Sequence, residues 1–210
     1  MLLQIALDDI SFEDAKVLLS KVEKYVDIIE LGTPFAYSNP ISAIGEFKKL
    51  FPNKKILADY KILDGGGFMA NLAYNANADI TTVSARAHDE TIAGAICAAK
   101  AHKREILVDM MAVPLNEIAD RTRIAAQLGA DYVCVHTSLD VKDAVDPFRS
   151  IEAARQGSDN IHIAVAGGIN LKTIRSLVAV KPDVIIVGGA LVKAADPVAV
   201  AAGLRMQMGG

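Results

Sequence analysis

Ionisable side chains stand at the ends of short apolar runs in this sequence of 210 residues. Five of eight such runs end in an ionisable residue, namely Asp8, Glu30, Asp59, Asp109 and His136. Lys61 and Asp64 follow shortly after Asp59. One acidic residue after a strand is commonly a helix cap, but five runs that end in this way are hard to explain as caps. Buried charges persist where they pair, bind a metal or take part in chemistry. The pattern therefore predicts that these side chains meet in one functional site.

The carboxylates of Glu30 and Asp59 are candidate ligands for a hard cation. They end consecutive runs, so neighbouring parallel strands would direct their oxygens into one space, with no His or Cys ligand close by. Two carboxylates suit Mg²⁺, which prefers oxygen and keeps several waters. Lys61 would point the same way as Asp59 if the strand continues. Among carboxylates it would stay protonated and could stabilise a developing enediolate, with a plain salt bridge as the alternative.

Two glycine pairs follow the seventh and eighth runs, Gly167-Gly168 and Gly188-Gly189. Barrels commonly bind a phosphate after these two strands, through backbone N–H groups and a short helix N-terminus. Glycine lets the backbone approach an anion closely. One pair could be only a turn, but two pairs at these positions predict a phosphate site.

The elements that must position these groups are eight short β-branched runs with a nearly even pitch. They are Leu2–Leu7, Asp27–Leu31, Lys55–Asp59, Asp79–Val83, Glu105–Asp109, Tyr132–His136, His162–Ala166 and Val184–Val187. Each has the length of a parallel strand buried on both faces. Stretches of helical period separate them, beginning with an apolar stripe from Phe12 to Val22.

Three helix starts can be predicted from capping residues. Ser11, with Asp14 three residues on, resembles a capping box. Asp196-Pro197 places a carboxylate before a proline at the first helical position. Asn170 is expected to cap the helix that follows the seventh strand.

Eight strand–helix units in 210 residues predict an α/β protein with one domain, a (β/α)8 TIM barrel over residues 1–210. An open doubly wound sheet is the alternative. It usually has fewer strands and a glycine-rich turn after the first, whereas this first run ends Ala6-Leu7-Asp8-Asp9. The repetition is architectural, without evident sequence repeats.

Composition excludes several classes of function. The net charge is −3 and no Lys/Arg cluster occurs, so nucleic acid is not an expected partner. No apolar run approaches the ~18 residues of a membrane span. The first nine residues lack the basic region of a signal peptide, which predicts a cytoplasmic protein. Cys97 and Cys134 are interpreted as small buried fillers rather than catalytic or disulfide-forming residues.

Residues 58–66, Ala-Asp-Tyr-Lys-Ile-Leu-Asp-Gly-Gly, resemble the Asp-x-Lys-x-x-Asp signature of the orotidine monophosphate decarboxylase superfamily. Within it, the chain is similar to the branch of hexulose-phosphate synthases and keto-gulonate-phosphate decarboxylases. The likeness extends over the chain at Ala6-Leu7-Asp8, Ile29-Glu30-Leu31-Gly32, Val135-His136-Thr137, Ala166-Gly167-Gly168-Ile169 and Val187-Gly188-Gly189-Ala190.

The resemblance implies a homodimeric barrel with sites at the subunit interface, where Asp64 reaches the partner's site. It implies that Glu30 and Asp59 bind Mg²⁺ and that Lys61 contacts the enediolate oxygen. Asp8 would contact substrate hydroxyls. The resemblance also implies that His136 moves protons and that the two glycine pairs hold the phosphate. Asp109 is a candidate substrate contact, and Asp109 or a metal-bound water could remove the C1 proton in place of His136.

Both branches pass through the 1,2-enediolate of a pentulose 5-phosphate. Synthases deprotonate ribulose 5-phosphate at C1 and add formaldehyde, whereas decarboxylases form the enediolate by losing CO₂. Decarboxylases carry arginines after the strand-six histidine and after strand eight. The corresponding stretches 136–140 and 187–193 have none, and Asp64-Gly65-Gly66 replaces Asp-Ala-Gly.

These differences favour an aldehyde lyase of the synthase type. The alternatives are the decarboxylase and a non-catalytic barrel that binds a sugar phosphate. One departure from the synthases is Ser138, where they usually have glycine, and its side chain would narrow the loop at the aldehyde pocket.

Overall fold

The computed structural model describes residues 1–138, 140–141 and 146–209, so Leu139 of the stretch 136–140 lies outside the described residues. The strands are β1 Leu2–Leu7, β2 Ile28–Leu31, β3 Lys55–Ile62, β4 Ile80–Ser84, β5 Glu105–Asp109, β6 Tyr132–His136, β7 His162–Ala166 and β8 Val184–Val187. They form a closed parallel barrel in chain order, in which β8 pairs with β1. The predicted (β/α)8 barrel is confirmed.

Helices follow the strands around the barrel. In the described residues they are α1 Phe12–Val22, α2 Thr33–Ser38, α3 Ser42–Leu50, α4 Gly66–Asn75, α5 Asp89–His102, α6 Leu115–Leu128, α7 Pro147–Gly157, α8 Ile174–Ala179, α9 Gly189–Val192 and α10 Pro197–Gln207, with a 3₁₀ turn at Glu23–Tyr25. In the part of the chain that the structure describes, no helix is long and apolar enough to cross a membrane.

Two of the three predicted caps are present. The Asp14 N–H donates to Ser11 Oγ at 3.1 Å, and the Ala199 N–H donates to Asp196 Oδ1 at 2.9 Å. The prediction for Asn170 is wrong, because α8 begins only at Ile174. The Asn170 side chain instead accepts a hydrogen bond from the Lys172 N–H and closes the preceding turn.

Of the two cysteines, only one is the buried filler that the sequence predicted. Cys134 is buried inside the barrel, but Cys97 is exposed on α5. The inner face of α5 is taken by Ile92, Ala95 and Ala99, which recur at helical spacing, and Cys97 falls outside that stripe.

Strand residues alternate between the surrounding helices and the barrel interior, because successive Cβ atoms point to opposite faces. One inward-facing apolar cluster fills the interior: Ala6, Ile28, Leu57, Ile80, Leu107, Tyr132, Cys134, Ala164, Ala166, Val184 and Ile186. An ionisable residue lies two positions after several of its members: Asp8 after Ala6, Glu30 after Ile28, Asp59 after Leu57, Asp109 after Leu107 and His136 after Cys134. The alternation that packs the interior therefore also sets these groups facing inward at the carboxyl end.

Four aspartates at a constant spacing of 52 residues, Asp27, Asp79, Asp131 and Asp183, form a ring at the opposite end of the barrel. Each carboxylate accepts a hydrogen bond from the N–H of the second residue of the preceding strand. The donors are Leu3 (2.8 Å), Ile56 (2.9 Å), Ile106 (2.9 Å) and Ile163 (2.8 Å). Each aspartate N–H donates back to the carbonyl of that same residue. We call these contacts the aspartate clips.

The clips also explain the strand starts. Asp27 and Asp79 were expected to be the first residues of their strands, but β2 begins at Ile28 and β4 at Ile80. The backbone carbonyl of each aspartate also accepts a hydrogen bond from the N–H of the first residue of another strand. For Asp27, Asp79 and Asp131 these strands are β3, β5 and β7, and for Asp183 the donor is Leu2 of β1, which closes the ring. This repeat consists of one aspartate in every 52 residues, which is too sparse a pattern to predict from the sequence alone.

Candidate functional site

A half-buried lysine links two buried carboxylates at the carboxyl end of the barrel. Lys61 Nζ lies 2.8 Å from Asp59 Oδ2 and 2.8 Å from Asp109 Oδ2. Asp59 and Asp109 are only 4% and 3% exposed. The single cation therefore bridges β3 and β5 across the intervening strand β4.

Lys61 reaches this position through an irregularity in β3. The strand continues past Asp59 to Ile62, but its register with β4 shifts between Ala58 and Ile62, and Lys61 has a φ of 43°. This left-handed conformation is unfavourable for a residue with a side chain and is retained where surrounding contacts impose it. The regular strand assumed from sequence is therefore wrong here, although Lys61 does meet Asp59.

Thr82 is the contact that holds this bulge, and sequence reasoning missed it. Its Oγ1 donates to Asp59 Oδ1 at 2.7 Å and accepts from the Lys61 N–H at 2.8 Å. Thr33 Oγ1 donates to the other carboxylate oxygen of Asp59 at 2.8 Å. Because β4 ends without an ionisable residue, only the inward alternation from Ile80 could have pointed to Thr82.

Charges in this cluster stabilise one another. Burial alone would lower the pKa of Lys61, but Asp109 and Asp59 raise it above its ordinary value, so the ammonium stays protonated. Burial would raise the pKa of Asp109, yet the hydrogen bond from His136 and the charges of His136 and Lys61 lower it to about 2. Asp109 is therefore an ionised acceptor at neutral pH and a weak base.

His136 lies beside this carboxylate at the end of β6. Its Nδ1 is 3.2 Å from Asp109 Oδ2. Because Asp109 is ionised, Nδ1 carries a proton and donates it in this hydrogen bond, which leaves Nε2 as the ring nitrogen that can face a substrate. A pocket of about 270 Å³ opens beside His136, with Met110, Val113 and Ser138 among its lining residues.

Glu30 and Asp8 complete the acidic surface of the mouth. Gln4 Nε2 donates to Glu30 Oε2 at 2.6 Å from deeper in the barrel. Burial and then the charge of Asp59 raise the pKa of Glu30 well above its ordinary value. Burial, followed by Asp59, also raises the pKa of Asp8. In the described part of the mouth, the carboxyl groups of Asp8, Glu30, Asp59 and Asp109 therefore outnumber the Lys61 ammonium that pairs with two of them.

This donor set fits a hard divalent cation at Glu30 and Asp59. Within the described residues, Glu30 Oε1 has no hydrogen-bond partner, and Asp59 Oδ1 accepts one bond, from Thr82, so a lone pair remains. Carboxylate oxygens are the ligands that Mg²⁺ prefers. A cation there would also favour the ionised form of Glu30, whose pKa burial and then the charge of Asp59 hold high.

The two glycine pairs lie at the ends of β7 and β8. A Cβ on Gly167 would lie 2.6 Å from the Thr137 carbonyl oxygen, and the φ of Gly167 is +109°. At Gly168 and Gly189 a Cβ would meet no atom within 4 Å. Gly167 is thus required by packing, whereas Gly168 and Gly189 leave their backbone open to a ligand. Gly188 precedes α9, beside Asp8.

Asp64 is the predicted site residue that the structure does not bring to the cluster. It is exposed in the turn after β3, where its Oδ1 accepts from the Gly65 N–H at 2.7 Å. Nearby Leu63 and Phe68 are 62% and 70% exposed. Asp64 therefore lies on an apolar part of the surface rather than in the mouth of its own barrel.

The chain matches a known protein family over nearly its whole length. A profile described as the orotidine 5'-phosphate decarboxylase / HUMPS family matches residues 1–204. The chain belongs to this family. The resemblance carried by residues 58–66 is thereby confirmed.

Relatives within the family are similar along the whole chain. A Bacillus subtilis (strain 168) protein named 3-hexulose-6-phosphate synthase is 41% identical over 197 residues, 93% of each chain. The crystal structure of a 3-hexulose-6-phosphate synthase from Salmonella typhimurium has a TM-score of 0.94 at 38% identity, covering 99% of this chain and 98% of the other. A 3-keto-L-gulonate-6-phosphate decarboxylase from Vibrio cholerae O1 biovar El Tor str. N16961 has a TM-score of 0.81 at 30% identity, covering 99% and 97%.

Proposed function

We propose that this chain catalyses the reversible, Mg²⁺-dependent aldol condensation of ribulose 5-phosphate with formaldehyde to 3-hexulose 6-phosphate. It would then be a carbon–carbon lyase of the aldehyde-lyase class. The observation that carries the proposal is the half-buried Lys61 ammonium held between the buried carboxylates of Asp59 and Asp109, in a chain 38–41% identical to proteins named for this synthase. A fixed cation at this point suits a reaction that develops negative charge on an enediolate oxygen.

The glycine pairs and Asp8 would orient the sugar phosphate. Backbone N–H groups at Gly168 and Gly189 are accessible to the phosphate oxygens, since neither position has a neighbour where a Cβ would stand. Asp8 would accept hydrogen bonds from substrate hydroxyls. Gly32 leaves room for this carboxylate, because a Cβ there would lie 2.1 Å from Asp8 Oδ1.

His136 is the base that we assign to the C1 proton. Its Nε2 is the ring nitrogen that Asp109 does not engage, whereas the low pKa of Asp109 makes that carboxylate a poor proton acceptor. Removal of the C1 proton forms the 1,2-enediolate, whose developing charge Lys61 stabilises. C1 then attacks the formaldehyde carbon, the new C–C bond forms, and the resulting alkoxide takes a proton. Mg²⁺ held by Glu30 and Asp59 would supply Lewis-acid stabilisation of the same charge.

We further propose a cytoplasmic homodimer in which Asp64 reaches the partner's site. Leu63 and Phe68 beside Asp64 are exposed apolar side chains, and Leu72 follows Phe68 by one helical turn on α4. Such a patch next to a charged residue that contacts nothing in its own site is what an interface would cover.

Decarboxylation of 3-keto-L-gulonate 6-phosphate is the second candidate function. It would use the same groups to hold the same enediolate, and the decarboxylase relative at 30% identity motivates it. The residues after β6 and β8 favour the aldol reaction. Thr137, Ser138 and Ala190 stand there, where decarboxylases carry arginines. A sugar-phosphate-binding barrel without activity is the third alternative.

The deciding experiment supplies the purified, Mg²⁺-loaded protein with formaldehyde and ribulose 5-phosphate. Formaldehyde should disappear only when both the sugar phosphate and Mg²⁺ are present, and EDTA should stop the reaction. Faster CO₂ release from 3-keto-L-gulonate 6-phosphate would instead identify the decarboxylase. Binding of ribulose 5-phosphate without exchange of its C1 proton in D₂O would identify a binding protein.

Thr82→Val is expected to lower kcat about 10- to 100-fold, the kinetic equivalent of losing a hydrogen bond to a charged group. The variant removes the hydroxyl that orients Asp59 and holds the bulge at Lys61. Formaldehyde consumption at saturating ribulose 5-phosphate measures the change.

Thr81→Val is the matched control for this variant. Thr81 is equally buried on the same strand, and its hydroxyl donates to the Ala58 carbonyl at 2.8 Å, away from the site. Both variants should lose similar stability, but only Thr82→Val should lose activity, and Thr82→Ser should regain it. Equal kcat losses for the two valine variants would show that Thr82 has only a structural role.

A further inference from the structure

Cys134 is a buried thiol that the proposed reaction does not use. It lies on the inward face of β6, two residues before His136, and is 2% exposed. The ligand atoms of Asp109, Cys134 and His136 all lie within 4.8 Å of one another. A carboxylate oxygen, a thiol sulfur and an imidazole nitrogen thus converge beside Lys61.

Strand geometry brings these three groups together. Cys134 and His136 are at positions i and i+2 of one strand, so both side chains point into the barrel. Asp109 is the Cα partner of Cys134 across the pairing of β5 with β6. Tetrahedral coordination at 2.0–2.3 Å separates ligand atoms by roughly 3–4 Å, so side-chain rotation suffices to bring the three within reach of one ion.

We propose that Asp109, Cys134 and His136 form a second cation site, specific for a thiophilic divalent metal such as Zn²⁺. Sulfur and nitrogen donors select Zn²⁺ and related transition metals over Mg²⁺, whereas Glu30 and Asp59 offer only oxygen. Burial raises the pKa of the Cys134 thiol well above its ordinary value, so the metal must displace the thiol proton. That proton leaves to water, the sulfur binds as thiolate, and no oxidation state changes.

Occupation of this site would remove two groups from the proposed catalytic cluster. The metal would take the carboxylate of Asp109 from Lys61 and occupy a ring nitrogen of His136. Lys61 opposes such binding, because its ammonium lies 2.8 Å from Asp109 Oδ2. A thiophilic metal is therefore an inhibitor here, and its affinity is limited by the neighbouring lysine.

Titration of the metal-free protein with Co²⁺ tests the site without any sugar phosphate, so its outcome is independent of the proposed reaction. Co²⁺ should produce a thiolate-to-cobalt charge-transfer band in the near ultraviolet, and the band should saturate at one thiolate-bound ion per chain. The band should be absent in Cys134→Ser and retained in Cys97→Ser, since Cys97 is exposed on α5. It should also be retained in Glu30→Gln. No band in the wild-type protein, or a band that depends on Cys97, would overturn the proposal.

Zn²⁺ affinity gives a second measurement that needs no chromophore. In calorimetric titration with excess Mg²⁺ present, Zn²⁺ should still bind, and Cys134→Ser should weaken it by at least about 100-fold, as loss of a ligand costs more than loss of an outer contact. His136→Asn should weaken it as well, so the test survives if the serine variant fails to fold. Displacement of Zn²⁺ by Mg²⁺ would place it at Glu30 and Asp59 and contradict the second site.

Discussion

Lys61→Ala is expected to lower kcat/KM for ribulose 5-phosphate by about 100- to 1000-fold, the usual cost of removing one preorganised group that stabilises transition-state charge. The chain offers no other cation at this point in the described part of the barrel mouth, since Lys61 alone bridges Asp59 and Asp109. Formaldehyde consumption with saturating Mg²⁺ measures the loss.

Lys55→Ala provides the control, because Lys55 lies on the same strand and also pairs with a carboxylate, Glu105 at 2.6 Å, but at the opposite end of the barrel. That variant should retain wild-type activity. Lys61→Ala should still fold, since Thr82 and Thr33 hold Asp59, and the Met111 N–H still donates to Asp109. Circular dichroism checks the fold. Activity near that of the wild type would show that Lys61 is only a salt-bridge partner.

A heterodimer of Lys61→Ala and Asp64→Ala subunits is expected to have about half of the wild-type activity, although each homodimer is nearly inactive. In a twofold dimer with shared sites, one site would combine the intact Lys61 of one subunit with the intact Asp64 of the other. Co-expression with two different affinity tags isolates the heterodimer, and formaldehyde consumption per dimer gives the result.

A heterodimer of Lys61→Ala and Asp59→Asn subunits is the matched control. Lys61 and Asp59 are 2.8 Å apart within one chain, so both sites of this heterodimer are defective and it should remain inactive. An inactive Lys61→Ala/Asp64→Ala heterodimer would mean that Asp64 acts in its own subunit, and an Asp64→Ala homodimer with wild-type activity would mean that Asp64 has no role in the site. A monomer in solution would contradict the proposed interface directly.

Much of the barrel mouth follows from sequence periodicity. A buried parallel strand with inward alternation is enough to place Asp8, Glu30, Asp109 and His136 at one end of the barrel. The register of β2 with β1 and β3 is regular, so Glu30 faces the interior as expected.

The rest of the site depends on an irregular backbone conformation and on uncharged polar side chains, and neither can be predicted from the sequence pattern. The position of Lys61 requires a positive φ that no sequence pattern marks. Thr82 and Gln4 hold Asp59 and Glu30, but a threonine or glutamine inside a strand is not distinguishable from an ordinary polar residue until the pairing is known. Asp64 lies on the surface of its own chain, so its predicted role depends on a partner and cannot follow from one barrel.

The aspartate clips bear on how readily this barrel can change its chemistry. They fix strand register at the amino ends through Asp27, Asp79, Asp131 and Asp183, while the reactive groups all stand at the carboxyl ends. Most substitutions destabilise a protein, and new activities are commonly lost because the fold fails first. Because four aspartates fix the strand register at the opposite end of the barrel, mutations in the mouth should destabilise the fold less. The clips are therefore a source of evolvability, leaving the mouth free to acquire new reactions.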